Sequence, residues 1–198
     1  HLAYDFNEAT ELAFEYTLLN YLAQQPGGLT DSQFKHRPRY SNRARNWFQV
    51  DWQLYALKLK HKISAKSDFS LNLFGLNAER NALGFRGNPA NRNSNPITEP
   101  DEQDAQGNYI NPRDFIKNEF NNWGAEARYL TRYNLAGRNS VFLVGTKYYQ
   151  AANTSRQGPG STGLGPDFTF ANNRFPDYAN QSAFDFPNVN GALFSENI

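Results

Sequence analysis

The sequence predicts an all-β protein, an antiparallel up-and-down transmembrane β-barrel, of which this chain forms a segment of about six to seven strands. Three observations predict this class. Apolar and polar residues alternate with period 2 along several segments. The connections between these segments are short and long in turn. The aromatic content is 15% although the mean hydropathy is only −0.76, as expected where apolar side chains fill every second strand position and polar loops dilute the average.

The alternation predicts the strands in order. Leu2 to Phe6 has the pattern of the end of a strand. From Glu11, the residues Leu12, Phe14, Tyr16 and Leu18 fall on one face and polar or small residues fall on the other. Further strands are predicted to start near Phe48, Asp68, Trp123, Val141 and Val189.

The connections support a barrel more strongly than any single strand. Short connections are predicted at 7–10, 62–67 and 134–139, and long loops rich in proline, glycine and asparagine at about 24–46, 79–122 and 151–186. Tight turns at one end and extended loops at the other are typical of an outer-membrane barrel. A soluble β-sandwich has turn signals every 8–12 residues without this regular disparity.

The strand number predicts that the chain is a segment of a larger barrel. Six strands and a fragment are fewer than the roughly eight that a bacterial barrel needs to close. An open sheet in lipid would leave unsatisfied backbone groups at both edges. The absence of methionine also indicates a processed or excised chain.

Composition excludes several functional classes. The chain has no cysteine for disulfides or thiolate chemistry, and no apolar run approaches the roughly 20 residues of a membrane-spanning helix. The net charge of +1 gives no reason to expect a nucleic-acid partner. His1, His36 and His61 lack metal-ligand spacing, and the acidic stretch 101–104 lacks the alternating ligands of a calcium loop. No catalytic constellation is present, so we expect neither an enzyme nor a metal site.

Several stretches resemble the barrel of TonB-dependent outer-membrane receptors of the ferric-dicitrate (siderophore) family. They are, in chain order, Tyr21-Leu-Ala-Gln-Gln-Pro-Gly-Gly-Leu-Thr-Asp-Ser-Gln-Phe34, Ser41-Asn-Arg-Ala-Arg-Asn-Trp-Phe48, Asn77-Ala-Glu-Arg-Asn-Ala-Leu-Gly-Phe85, Asn122-Trp-Gly-Ala-Glu-Ala-Arg128, Arg156-Gln-Gly158, Asp167-Phe168, Asp185-Phe-Pro-Asn188 and Leu193-Phe-Ser-Glu-Asn197. They span nearly the whole chain, 1–198.

The resemblance implies a 22-stranded barrel in the bacterial outer membrane, filled by an N-terminal plug domain. Residues 1–198 would then be a partial barrel domain without the plug and the C-terminal strands. Such a receptor binds an iron chelate, here of the ferric-dicitrate type, and imports it with energy from the TonB–ExbB–ExbD complex, which contacts the plug. The iron is carried within the ligand, so no cofactor is expected. Lipid and lipopolysaccharide of the outer membrane would surround the wall.

Four arginines are the candidate ligand-binding residues. Arg43 and Arg45 lie in a basic run beside the predicted barrel mouth, and Arg80 and Arg86 follow the strand that begins near Asp68. Guanidinium groups bind carboxylates through two parallel hydrogen bonds, which suits an anionic citrate complex over which the loops would close. The same basic run could equally be a solvated loop near anionic headgroups.

Other charged and aromatic residues are predicted to have structural roles. Glu11, Glu15, Glu126, Arg128 and Arg132 would line a hydrated lumen and pair across strands or against the plug, with direct ligand contact as the alternative. Tyrosines and tryptophans would form girdles at the membrane interfaces, namely Trp47, Trp52, Trp123, Tyr129 and Tyr133.

Two alternatives to active transport remain open from the sequence. One is a passive, porin-like diffusion channel without a plug. The other is a soluble β-rich domain that binds carbohydrate or mediates adhesion, which would fold alone in water.

Overall fold

A computed structural model describes residues 1–87, 95 and 97–198, and it is built almost entirely of β-strands. Within these residues one helix occurs, α1 (Asp31–His36), and no helix is long and apolar enough to cross a membrane. The strands are β1 (Leu2–Asn7), β2 (Thr10–Gln24), β3 (Trp47–Lys62), β4 (Ser67–Gly84), β5 (Asp114–Leu135), β6 (Arg138–Pro159) and β7 (Ser182–Asn197).

The seven strands form one antiparallel up-and-down sheet in which each strand pairs with its sequence neighbours, in the order β1 to β7. The predicted all-β class and meander topology are thereby confirmed. The described residues of β1 and β7 do not pair with each other, so the sheet is open at both edges.

Short turns connect the strands at one end of the sheet, which we call the turn end. The β5–β6 connection is a two-residue turn with Ala136 at φ 50° and Gly137 at φ 81°. Two successive positive φ angles define the turn type whose twist matches that of paired strands. The Asn134 side chain accepts a hydrogen bond from the Gly137 amide at 2.9 Å. The three long loops lie at the opposite end, which we call the loop end.

Unbroken registers from β2 to β7 assign each side chain to one of two faces, because residues paired across antiparallel strands point the same way. The leucine face carries rows such as Leu12–Leu59–Leu71–Ala127 and Phe14–Leu57–Leu73–Ala125. The ion-pair face carries rows such as Glu11–Lys60–Ser70–Arg128.

Both faces change polarity about half-way along the strands. Toward the loop end, the leucine face becomes polar, with rows Gln53–Asn77–Asn121 and Asp51–Glu79–Glu119. The ion-pair face becomes largely apolar there, with rows Trp52–Ala78–Phe120 and Phe48–Ala82–Ile116, although the row between them, Val50–Arg80–Asn118, keeps two polar residues. On each long strand, therefore, the face that carries apolar side chains near the turn end differs from the face that carries them near the loop end.

Side-chain burial is slight across the sheet and concentrated at the loop end. The accessible surface is 13234 Å², whereas a compact monomer of 22.6 kDa exposes roughly 9,500 Å². Among the described side chains, the largest that are fully buried include Arg43, Arg45, Arg113 and Phe115. The best-packed part of the molecule therefore contains buried guanidinium groups as well as apolar side chains.

Two predicted loops are too long. The expected loops 79–122 and 151–186 reduce to 85–113 and 160–181, because β4 continues to Gly84, β5 begins at Asp114 and β6 continues to Pro159. Polar residues in these stretches resembled loop sequence, yet several of them, including Glu79, Asn81 and Glu119, lie on the leucine face of the loop-end half, where that face is polar. The loop 24–46 agrees to within one residue, since β2 ends at Gln24 and β3 starts at Trp47.

The predicted tryptophan girdle is only partly consistent with the faces. Trp123 lies on the leucine face beside Tyr148, with ring centroids 5.2 Å apart. Trp52 instead lies on the ion-pair face, and Trp47 donates its indole N–H to the carbonyl of Leu164 in a loop. Neither Trp52 nor Trp47 belongs to the aromatic row of Trp123.

A glycine on the ion-pair face provides a test of sheet packing. A Cβ atom at Gly124 would lie 2.7 Å from the Tyr148 carbonyl oxygen and 2.5 Å from the Phe74 ring. We expect Gly124→Ala to lower the free energy of unfolding by about 1–3 kcal/mol, because backbone and ring must shift to admit the methyl group. A Cβ at Gly191 meets nothing within 4 Å, so Gly191→Ala is the matched control. Equal denaturation midpoints for both variants would contradict the packing described.

Candidate functional site: the arginine clamp and the loop-end rim

All three long loops converge at the loop end. We call residues 25–46, 85–113 and 160–181 the first, second and third loops. Hydrogen bonds join each of these loops to the other two. Three buried arginines, Arg43, Arg45 and Arg113, provide most of these bonds and, with Asp101, form what we call the arginine clamp.

Arg45 of the first loop contacts both other loops. It forms a bidentate ion pair with Asp101 of the second loop, with Nε to Oδ2 at 2.8 Å. Its Nη1 donates to the carbonyl of Asn111 at 3.0 Å and to that of Thr162, in the third loop, at 3.2 Å. The guanidinium also stacks on the Tyr109 ring, 4.1 Å from its centroid. Arg45 is 0% exposed, and its guanidinium N–H groups are bonded to partners within the chain.

Arg113 ends the second loop and completes the clamp. Its Nε donates to the carbonyl of Ser161 at 3.0 Å, and Nη2 donates to the Ser161 hydroxyl at 2.6 Å. Its Nη1 donates to the carbonyls of Gly165 at 2.6 Å and Arg45 at 3.2 Å. These acceptors are uncharged, so burial lowers the pKa of Arg113 to about 10. Arg113 is fully buried and stabilises the backbone of both other loops at once.

Arg43 holds the first loop against the start and the middle of the second. Its Nη2 donates to the carbonyl of Glu99 at 2.7 Å, and its guanidinium lies 3.9 Å from the centroid of the Phe85 ring. The neighbouring Asn42 amide donates to the carbonyl of Ile97 at 2.5 Å. Burial lowers the pKa of Arg43. Like Arg45, it is directed into the protein.

An aromatic cluster joins the third loop to the start of β5, two residues after Arg113. Phe115, fully buried at the start of β5, packs on Phe170 and Phe168 of the third loop with ring centroids 4.5 and 6.1 Å apart. The cluster therefore attaches the third loop to the sheet beside the clamp.

Arg80 and Arg86 remain at the exposed rim of the ion-pair face. Arg86 is 53% exposed and its Nη1 lies 3.3 Å from Asp114 Oδ2. The Asp114 carboxylate is buried and also accepts from Gln157 at 2.8 Å and from the Tyr178 hydroxyl at 3.1 Å. The side-chain amide nitrogen of Asn118 donates to the Ser155 hydroxyl. The side-chain oxygen of Asn118 accepts a hydrogen bond from Arg80 Nη2 at 2.9 Å. Both guanidinium groups are held at one edge and still reach solvent.

The four predicted binding arginines therefore separate into two pairs. Arg43 and Arg45 are buried and bonded to the chain itself, so the structure gives them a structural role and we do not place them on a ligand-binding surface. Arg80 and Arg86 retain donors that face solvent. Sequence reasoning missed Arg113 and Asp114, since an isolated Arg-Asp pair after a loop carries no periodic or motif signal.

The acidic stretch of the second loop also has structural roles. Asp101 belongs to the clamp, whereas Asp104 accepts hydrogen bonds from the amides of Gln106 and Asn108 at 2.9 and 2.8 Å. These bonds lower the pKa of Asp104 and form a tight turn with Gly107 at φ 82°. Within the described residues, no group of three or more His, Asp or Glu side chains could hold a metal ion.

Charged residues at the turn end of the ion-pair face are arranged in pairs. The ion pairs are Lys58–Glu15 at 2.6 Å, Lys60–Glu11 at 3.1 Å, Arg128–Glu126 at 2.6 Å and Arg132–Asp68 at 2.6 Å. This pairing agrees with the expected role of these charges. Comparison of the chain with protein-family models and with curated proteins finds no match.

The clamp can be tested by removing its carboxylate. Asp101→Ala would leave the buried Arg45 without its counter-charge, so we expect the free energy of unfolding to fall by about 3–5 kcal/mol. Asp177→Ala removes the same charge from an exposed position in the third loop, where a change within about 0.5 kcal/mol is expected. Chemical denaturation of both variants provides the measurement. A loss below about 1 kcal/mol for Asp101→Ala would show that the clamp does not stabilise the loops.

Proposed function

We propose that this chain is part of the barrel wall of a TonB-dependent outer-membrane receptor that imports an anionic ferric chelate of the citrate type. The single observation that carries the membrane assignment is the opposite polarity of the two faces at the turn end. There the leucine face carries mostly apolar side chains, such as Leu59, Leu71 and Phe69, whereas the ion-pair face carries charged ones. A membrane barrel needs this arrangement, with lipid on one side and a hydrated lumen on the other.

The dimensions of the apolar region support a bilayer. On β5 it extends from Trp123 to Tyr133, about 11 residues, which is the length of a tilted membrane-spanning strand. At about 3.4 Å per residue and a tilt of about 40°, this stretch is roughly 26 Å tall. Aromatic residues bound it, with Tyr55 and Trp123 toward the loop end and Tyr129 and Tyr133 toward the turn end. We call this apolar region of the leucine face the belt.

The exposure of the belt is the second support. Phe14, Leu73 and Trp123 are 41%, 41% and 50% exposed, and β1 adds Leu2, Tyr4 and Phe6 at 59–73%. A water-soluble protein rarely exposes an apolar patch of this extent. In the proposed receptor, lipid covers the belt, and further strands at the β1 and β7 edges complete a barrel of 22 strands.

The ligand assignment depends on the charge at the loop-end rim. Arg80 and Arg86 would offer guanidinium donors to the carboxylates of a ferric citrate complex. The iron arrives inside that ligand, so the chain needs no resident metal or other cofactor. Energy would come from the TonB–ExbB–ExbD complex through a plug domain outside these 198 residues.

Lipid exposure of the belt predicts an asymmetry between neighbouring residues of β4. Leu73→Lys would place a charge on the lipid side of the belt and should cost about 2–4 kcal/mol of folding free energy in a bilayer. Asn72→Lys places the same charge on the ion-pair face directly opposite Glu126 and should cost far less. Folding of the complete barrel that contains this chain into lipid vesicles, followed by urea titration, measures both. Equal costs would rule out a lipid-facing belt.

Chelate binding can be measured with the complete receptor that contains this chain, in detergent micelles. We expect Arg80→Gln with Arg86→Gln to weaken ferric dicitrate binding on the order of tenfold, through loss of two charge-assisted contacts. The matched control is Lys66→Gln with Arg138→Gln, which removes two exposed cations at the turn end. Equal affinities for the two double variants would remove Arg80 and Arg86 from the site. Ion conductance without saturable binding by the unaltered protein would favour the passive channel.

A further inference from the structure

We propose that a cleft between the third loop and the loop end of β6 and β7 binds a neutral pyranose sugar, supplied by the core saccharide of the lipopolysaccharide around the barrel. We call it the sugar cleft. The inference rests on the proposed function for the outward orientation of the leucine face and for the source of the sugar. The cleft lies apart from Arg80 and Arg86, which belong to the ion-pair face.

The sugar cleft has the size of a small-molecule site. Its volume is about 460 Å³, within the range of roughly 300–1,000 Å³ that such sites occupy. The side chains that supply its aromatic and polar walls are Arg156, Phe170, Asn172, Gln181 and Ser182.

The third loop places the sugar cleft on the leucine face. A Cβ atom at Gly158 would lie 3.0 Å from Asn172 Oδ1 and 3.2 Å from the Phe170 ring. Gly158 pairs with Phe115, which belongs to the leucine face. The third loop therefore lies over the leucine face at this point. Arg156, two residues before Gly158 in β6, points to the same side.

The sugar cleft lies well beyond the belt. Trp123, at the loop-end limit of the belt, pairs with Gln150, and Arg156 follows six residues later in β6. At about 3.4 Å per residue and a tilt of about 40°, Arg156 is roughly 16 Å above the belt. The headgroup layer adds only about 5–8 Å to the hydrocarbon core on each side. In the proposed receptor the cleft therefore faces the saccharide of the lipopolysaccharide rather than its lipid headgroups.

The polar groups of the sugar cleft suit hydroxyl groups. The Asn172 and Gln181 side chains are exposed, and each amide offers both donors and an acceptor. The Gln181 amide nitrogen donates to the Pro176 carbonyl at 2.8 Å. Within the described residues, no hydrogen bond joins the Asn172 side chain or the Ser182 hydroxyl to the protein. A sugar hydroxyl both donates and accepts, so it can bond to these groups in either sense.

The Phe170 ring provides the apolar wall of the sugar cleft. A pyranose carries C–H groups on its ring faces, and these pack on the electron-rich face of an aromatic ring. Phe115 holds the Phe170 ring, with centroids 4.5 Å apart, so binding needs little further ordering of this side chain. Arg156 forms an ion pair with Asp185, and this pair presents donors and acceptors side by side to neighbouring hydroxyls.

The charge beside the sugar cleft favours a neutral sugar. The two cross-strand rows that contain Arg156 and Asp185 carry four carboxylates and two cations, namely Asp51, Glu79, Glu119, Asp185, Lys117 and Arg156. Lys117 is already paired with Glu79 and Glu119, at 3.1 Å in each case. A phosphorylated or carboxylated sugar would meet a net negative surface here, whereas a neutral hexose would not.

Calorimetric titration with a released sugar tests the cleft. The complete receptor that contains this chain, in detergent micelles, is titrated with the dephosphorylated core oligosaccharide of lipopolysaccharide. We expect saturable binding that Asn172→Ala with Gln181→Ala weakens on the order of tenfold, because two hydrogen-bonding amides are lost. Asn173→Ala with Gln106→Ala, at exposed positions outside the cleft, is the matched control and should bind like the unaltered receptor. No saturable binding by the unaltered receptor, or the same affinity for both double variants, would overturn the inference.

Whole lipopolysaccharide tests the source of the sugar. Lipopolysaccharide with a complete core should raise the denaturation midpoint of the receptor more than lipopolysaccharide without core hexoses, and Asn172→Ala with Gln181→Ala should abolish the difference. Equal midpoints with the two lipopolysaccharides would overturn the membrane as the source.

Ferric dicitrate binding by the same preparation separates this inference from the proposed function. A receptor that binds the chelate but not the oligosaccharide would refute the sugar cleft alone. A receptor that binds the oligosaccharide but not the chelate would support the sugar cleft and contradict the proposed ligand.

Discussion

The hydrogen-bonded ladder across the seven strands is the constraint on which the rest of the structure depends. In an antiparallel sheet the side-chain period is 2, so a slip of one residue would move every side chain of a strand to the other face. The registers from β2 to β7 are unbroken, and they bring Leu71 beside Leu59 and Glu126 beside Asn72. Face, height and neighbours of each side chain follow from this one set of pairings.

The change of polarity along the strands divides the sheet into two halves whose faces have opposite polarity. Near the turn end, the leucine face carries mostly apolar residues, while the opposite face pairs its charges. Near the loop end, carboxylates and amides on the leucine face suit water, and the aromatic residues Trp52 and Phe120 lie on the other side. Strands of 22 residues, such as β5 and β6, extend through both halves of the sheet, so the long loops lie beyond the polar half of the leucine face.

Buried arginines perform at the loop end the role that apolar side chains perform in a soluble domain. Loops expose backbone carbonyls, which must find donors when they are packed together. One guanidinium offers five donors in a rigid plane, so a single arginine can satisfy carbonyls from two loops. Arg113 does so with uncharged acceptors, and Arg45 adds the carboxylate of Asp101. The buried arginines give the loops a defined conformation, and their donors are therefore not available to a ligand.

The sequence by itself determined the all-β class, the order of the strands and the placement of short and long connections, because period-2 alternation and turn residues are local signals. It misplaced the ends of β4, β5 and β6, since polar residues there resemble loop sequence unless the change of polarity is known. It also could not separate Arg43 and Arg45 from Arg80 and Arg86, or identify Arg113. Whether a guanidinium group reaches solvent depends on carbonyls that lie up to 117 residues away in the chain. Only the tertiary structure brings those acceptors together. It therefore decided which guanidinium groups are buried and which face solvent.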